Sequence, residues 1–243
     1  MSSAPITISE IIQTLTEYTP CDVSDALQKV HSLKDGGNFP NLTRYSESFP
    51  SKTTVGPAYT VLFAPLDDPR PKVPQHYIDV VPENSVVVIA LTKDLQVNYA
   101  PYTTVNNALY GGLMSTRAQY LGAKGSIIFG RIRDLEEHRG LKYPVYAYGT
   151  ATAAANGSVV KCIGINVPLE INVGTTGVYE QINPNDLIIA DENGVVRIPT
   201  KSVNLQKIIE YIPKRVDADQ NTARDIAEGV AVATAQKKYR AGL

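Results

Sequence analysis

Arg133 and Asp134 follow the run Gly125-Ser126-Ile127-Ile128-Phe129-Gly130-Arg131-Ile132, and their types suit chemistry on a small acid. An arginine fork can grip a carboxylate or a carbonyl oxygen through fixed donors. An aspartate can hold a divalent cation such as Mg²⁺, which keeps several waters and accepts substrate oxygens. Such a cation acts as a Lewis acid on a 2-oxo group and stabilises an enolate. Upstream stands Tyr110-Gly111-Gly112-Leu113-Met114. Glycines just before a helix let a ligand approach the backbone, and the first turn carries unpaired N–H groups. Together they suit a carboxylate or phosphate. A bland reading stands beside this one. Asp134 with Glu137 also has the spacing of a capping box for a short helix over Leu135 to His138. Arg133 also suits an ordinary surface ion pair.

Periodicity predicts the helix and strand on which these residues sit. A helix from Leu113 to Leu121, with Met114, Ala118 and Leu121 on one face, rises ~15 Å over about ten residues at 1.5 Å each. A turn at Gly122 to Gly125 reverses the chain. A strand over Ser126 to Gly130 then returns ~16 Å at 3.3 Å per residue. The match predicts that Arg133 and Asp134 lie level with Gly111 and Gly112. This is the strand end where α/β proteins bind ligands.

Other apolar runs have strand length and are rich in Val, Ile and Tyr: Ala58 to Phe63, Ser85 to Leu91, Val145 to Tyr148, Val159 to Ile163, Val167 to Ile171, Val178 to Ile182, Leu187 to Ala190 and Val195 to Ile198. Several are continuously apolar, which predicts burial on both faces. Helices are predicted at both ends. Thr7 to Tyr18 carries a Thr7/Glu10 capping box and an Ile8, Ile11, Ile12, Leu15 stripe. A second helix runs from Asp22 through Leu27. Near the C-terminus Leu205, Ile208, Ile209 and Ile212 share a face, and Asp217 to Lys238 is Ala-rich and polar. One α/β domain over residues 1–243 is the economical reading, with a core at about 20–200 and a helical extension at about 201–243.

Composition narrows the function classes. The chain has 243 residues, 43% hydrophobic and 19% charged, with a formal net charge of −1. That is enough for a sizeable core, and it gives no basic patch for nucleic acid and no sign of a membrane partner. Two cysteines, Cys21 and Cys162, fit a reducing compartment, and each is expected to be a small core residue. Met1 to Thr7 lacks the apolar core of a secretory signal, so a cytoplasmic location is expected. The sequon Asn41-Leu42-Thr43 carries no weight without such a signal. His31, His76 and His138 show no metal spacing, and His138 is expected to be either solvated or at a helix end. Lys161 reads as an edge-strand lysine and not a Schiff-base lysine. Asp191 reads as a turn residue before Gly194. No nucleotide-type glycine motif or P-loop is present.

Six segments in the same order make the chain resemble the RraA-like proteins. They are Cys21 to Leu27, Val55 to Val61, Tyr110 to Met114, Gly125 to Asp134, Pro144 to Ala147 and Asp186 to Val196. The family includes 4-hydroxy-4-methyl-2-oxoglutarate aldolases and the bacterial regulator of RNase E activity. Tyr-Gly-Gly-Leu-Met-Ser followed by Gly-Arg-Ile-Arg-Asp looks most like its fungal branch. The resemblance implies an α/β fold, a swivelling β/β/α sandwich with N- and C-terminal helices. It also implies trimers or hexamers with active sites at subunit interfaces. The implied activity is that of a carbon–carbon lyase: Mg²⁺- or Mn²⁺-dependent retro-aldol cleavage of a 2-oxo acid releasing pyruvate, with oxaloacetate decarboxylation as a related reaction. Arg133 would bind substrate and Asp134 the metal, and the backbone amides of Gly111, Gly112, Leu113 and Met114 would hold the pyruvate carboxylate. One departure matters. The aldolases carry an acid 21 positions before this arginine, and here that position is Gly112. Asp67, Asp68, Glu136 and Glu137 are the candidate replacements. The alternative is a non-catalytic binding or regulatory protein on the same scaffold. The enteric RNase E regulator lacks the aspartate at the position of Asp134, which this chain retains.

Overall fold

A computed structural model describes residues 6–46, 53–174 and 177–243. Helix α1 (Ile8–Leu15) begins at Thr7, whose side chain and that of Glu10 form the reciprocal capping box. Helix α2 (Pro20–His31) is longer than the apolar spacing predicts. Thr19 and Asp22 form a second capping box, and Pro20, which has no N–H to lose, opens the first turn.

The strands are β1 (Asn38–Phe39), β2 (Thr43–Arg44), β3 (Thr54–Pro65), β4 (Val86–Leu91), β5 (Ala108–Tyr110), β6 (Gly125–Ile132), β7 (Val145–Thr150), β8 (Val160–Ile165), β9 (Leu169–Asn172), β10 (Tyr179–Ile182), β11 (Leu187–Asp191) and β12 (Gly194–Ile198). Helix α3 (Gly112–Tyr120) lies between β5 and β6, and α4 (Leu135–Gly140) follows β6. The fold is mixed α/β. Its large sheet has the order β1-β12-β11-β3-β4-β6-β7-β2, with β5 added to β6 and β8 to β3. β3, β4, β6 and β7 run parallel, while β8, β11 and β12 pair antiparallel. β9 and β10 form a separate antiparallel ribbon.

The continuously apolar β4 is explained by its two faces. Val87, Ile89 and Leu91 point into a core with Ala118 of α3 and Tyr77. Val86, Val88 and Ala90 point into another, with Leu169, Ile171 and Ile182 of the ribbon. The layers are therefore helix, sheet and ribbon, and each buried Val or Ile contributes on the order of 1.5–3 kcal/mol.

A third core joins α1 and α2 to β11 and β12 and to α5 (Leu205–Ala227) through Ile208, Ile209 and Ile212. α5 is one helix running through Pro213, where two separate segments were expected. It ends at Gly229, whose φ of +93° suits glycine. α6 (Val232–Arg240) folds back on α5 through Lys238–Asp225 and Arg240–Asp219 pairs of 2.9 and 2.6 Å. Among the described residues no helix is long and apolar enough to cross a membrane. Cys162 is buried as expected, but Cys21 is exposed, because it falls on the outer face of α2. Asp191 accepts from the Asn193 N–H at 2.7 Å in the β11–β12 turn, as its sequence context predicts.

Candidate functional site

β5 has only three residues, yet it sets the level of the site. It lies along the end of β6, with Ala108 opposite Arg131 and Tyr110 opposite Ile132. The Arg133 N–H then donates to the Tyr110 carbonyl at 3.0 Å. On its other side β5 is held by Ala153 to Ala155, through bonds of 2.8 Å from the Ala108 N–H to Ala153 and from the Ala155 N–H to Ala108. Gly111 and Gly112, next in the chain, therefore meet Arg133 and Asp134. β6 is longer than the expected strand, eight residues against five. The register of β5, not equal helix and strand lengths, brings the two segments together.

Asp134 does not form the capping box its spacing allows. Its backbone sits in the left-handed region at φ 63°, and its side chain caps no amide of its own helix. It turns back across the cleft instead. Oδ2 accepts from the Gly112 N–H at 3.1 Å and lies 3.3 Å from Arg133 Nε. Left-handed backbone at a non-glycine residue costs about 1–3 kcal/mol, is better tolerated by Asp than by most residues, and concentrates at functional sites.

The two glycines are required by close approach. A Cβ on Gly111 would lie 2.6 Å from Asp134 Oδ2. A Cβ on Gly112 would lie 1.8 Å from Glu137 Oε2 and 2.6 Å from Glu137 Cβ. Glu137 thus fills the space that a side chain at position 112 would take. Of the four candidate replacements for the missing acid, Glu137 alone lines this cleft. Asp68 is tied to Arg70 at 2.7 Å, while Asp67 and Glu136 lie outside the lining.

The cleft has a volume of about 360 Å³ and includes Tyr110, Gly111, Leu113, Met114, Arg133 and Asp134 in its lining. In the α3 first turn Gly112 N–H is taken by Asp134, and Met114 N–H donates to the Gly111 carbonyl at 3.0 Å. Leu113 N–H lies in that same turn, where a helix offers no internal acceptor. His76 and Asn156, to which the sequence assigns no role, also line the cleft. His76 instead caps the short 3₁₀ turn over Tyr77–Val80 and stacks on Tyr77. Lys161 Nζ donates to the Asp68 carbonyl at 2.6 Å, away from the cleft.

His138 departs most from expectation. It does stand in the last turn of α4, but it is fully buried and not solvated. Its Nδ1 shares a 2.9 Å hydrogen bond with Ser115 Oγ of α3, and its ring stacks on Tyr110. Its Nε2 is buried without a well-formed hydrogen bond. The residue locks α4 to α3 directly behind the cleft. Burial holds the imidazole pKa below its usual value, outweighing the opposing pull of the Arg133 backbone and of Asp134. A depressed folded pKa means that the unfolded chain binds the proton first. His138's contribution to stability is therefore complete above about pH 6.5 and declines as pH falls from there towards the folded value. Melting curves between about pH 8 and about pH 5 should show less loss of stability on acidification in His138→Gln than in wild type. An unchanged slope counts against this assignment. His138→Ala, which strands the buried Ser115 hydroxyl, should cost about 1–3 kcal/mol by denaturant titration.

A sheet with helices on one face and a ribbon on the other, with its cleft at the β5–β6 strand ends, defines a class of α/β proteins. The chain belongs to the RraA-like family, whose Aldolase/RraA model matches residues 20–197. Protein DlpA of Legionella pneumophila subsp. pneumophila is 28% identical over 235 residues, 96% of this chain and 34% of DlpA. A putative 4-hydroxy-4-methyl-2-oxoglutarate aldolase of Halalkalibacterium halodurans is 30% identical over 123 residues, 51% of this chain and 54% of that protein. The chain thus spans about a third of the first relative and about half of the second. Two solved structures share the fold. An uncharacterized protein from Pseudomonas syringae pv. tomato matches with a TM-score of 0.73 at 24% identity, covering 96% of this chain and 100% of that one. RraAS2 of Streptomyces coelicolor, described as an unusual member of the RNase ES inhibitor RraA protein family, matches with a TM-score of 0.64 at 20% identity, covering 94% and 100%.

Proposed function

We propose that the chain is a divalent-metal-dependent carbon–carbon lyase. It would cleave 4-hydroxy-4-methyl-2-oxoglutarate-like acids, decarboxylate oxaloacetate, or both, to give pyruvate. The observation that carries this reading is the pair of carboxylates, Asp134 and Glu137, set with Arg133 around the glycine turn that opens α3. No cluster of three His, Cys, Asp or Glu suited to a metal exists among the described residues. That argues against a zinc-type cage, but one or two carboxylates with several waters suit Mg²⁺ or Mn²⁺. Asp134 would hold the ion, with Glu137 supporting its water shell. When bound, the cation would supply Lewis-acid stabilisation of an enolate.

The chain's own residues bind and orient. Arg133 would grip the 2-oxo acid end through its fork, and the α3 first turn, with Leu113 N–H, would take the carboxylate. In the retro-aldol direction the C4 hydroxyl loses its proton, the C3–C4 bond breaks, and its electrons pass to the enolate, whose C3 then takes a proton. Leu113, 71% exposed, lines the cleft, and Tyr120, 78% exposed, follows about two turns along α3, so an apolar rim runs from the cleft down the helix. A neighbouring copy in a trimer or hexamer would cover that rim. The test is pyruvate release from both substrates, with and without EDTA. Chelation should abolish turnover and Mg²⁺ or Mn²⁺ should restore it. Release unaffected by EDTA, or no release at all, would overturn the proposal, and the latter result would favour a non-catalytic binding role.

A further inference from the structure

We propose that Arg131 is the specificity-determining residue that takes the carboxylate at the far end of the substrate. The inference rests on the lyase reading for the orientation of the substrate. A second depression of about 690 Å³ adjoins the cleft and shares Arg133 and Asp134 with it. Its other lining includes Asn106, Asn107, Arg131 and Thr150 to Ala153. Arg131, in β6, and Arg133, just past its end, both line this depression.

Their electrostatic situations differ. Arg133 has the Asp134 carboxylate 3.3 Å away. Arg131 donates from one nitrogen to the Thr150 carbonyl at 2.9 Å, and its Nε is buried with no partner. No carboxylate pairs with it among the described residues. Gly149, across the strand pair, leaves room for it to lie flat, since a Cβ there would sit 3.2 Å from Nη1. A half-buried guanidinium with five donors and one backbone acceptor is an incomplete site. The Thr150 carbonyl meets only one of its donors, and an incoming anion can take others at the exposed end of the fork. A 2-oxo acid held by its first carboxylate at α3 extends across Arg133 and Asp134. Its departing half then enters this second depression, and a terminal carboxylate there meets Arg131.

The experiment uses two inert ligands that differ only at that end, 2-oxoglutarate and 2-oxopentanoate, titrated calorimetrically into the Mg²⁺-supplemented full chain. Wild type should bind 2-oxoglutarate about tenfold or more tighter, the worth of a charge-assisted hydrogen bond. Arg131→Gln should lose that preference, and Arg131→Lys, which keeps the charge but not the fork, should retain part of it. No preference in wild type, or the same preference in a folded Arg131→Gln, overturns the inference. If Arg131→Gln does not fold, a full wild-type preference in Arg131→Lys overturns it and a reduced one supports it. Pyruvate release from 4-hydroxy-2-oxoglutarate and 4-hydroxy-2-oxopentanoate separates the two claims. Neither cleaved, with the binding preference intact, removes the lyase reading and leaves the Arg131 assignment. Both cleaved with equal efficiency removes the Arg131 assignment alone.

Discussion

Asp134→Asn is expected to lower metal-dependent pyruvate release about 10²–10³-fold while leaving the protein folded. Asparagine keeps an oxygen that can accept from the Gly112 N–H, a bond of 3.1 Å in the native chain. It also tolerates the left-handed backbone at φ 63°. Only the negative charge is lost, and with it the proposed hold on the cation. Asp134→Ala should show the same kinetic loss plus a structural cost. Alanine at that φ costs roughly 1–2 kcal/mol, which lowers the melting temperature by a few degrees in a chain of this size. Steady-state kinetics at saturating Mg²⁺, with a thermal melt of each variant, make the comparison. Equal rates in wild type and Asp134→Asn would remove Asp134 from the proposed metal site.

Position 112 carries the second large effect. Glu137→Ala should reduce kcat/KM about 10- to 100-fold, the usual range for a carboxylate that supports a metal ligand. Gly112→Asp alone should be damaging in a different way. Its Cβ would meet not only the flexible end of Glu137 but also Glu137 Cβ at 2.6 Å, so the first turn of α4 must move. Such overpacking costs about 1–3 kcal/mol. The double variant Gly112→Asp/Glu137→Ala should relieve the conflict and return a carboxylate to the same space from the opposite side of the turn. Activity should recover towards wild type, a strongly non-additive result. A double variant no more active than Glu137→Ala would show that Glu137 merely fills space. The same comparison bears on the non-catalytic alternative, since it tests whether Glu137 supplies the acid that position 112 lacks.

Much of this protein was legible in its sequence, and the physical reason is locality. Capping boxes at Thr7/Glu10 and the stripe at Ile208, Ile209 and Ile212 are set by neighbours within a turn or two. The apolar runs that became β4, β6 and β11 signalled burial on both faces, because a strand inside a layered sheet has no wet side. The glycine turn and the Arg133-Asp134 pair were recognisable as types, and their order along the chain carried the family. Tertiary structure decided what those residues touch. β5 is too short for a periodic signal, yet its ladder on β6 sets the level of the site. Asp134 and Glu137 have capping-box spacing, but the pairing across 22 residues with Gly112 turned the aspartate away from its own helix. His138 was polar by type and buried by its contact with Ser115, 23 residues earlier in the chain. Glu137 over Gly112 and the partnerless Nε of Arg131 also arise only when distant segments meet. Residue types and local periodicity set which groups were available and which elements would carry them. Only the long-range packing decided which of them face one another.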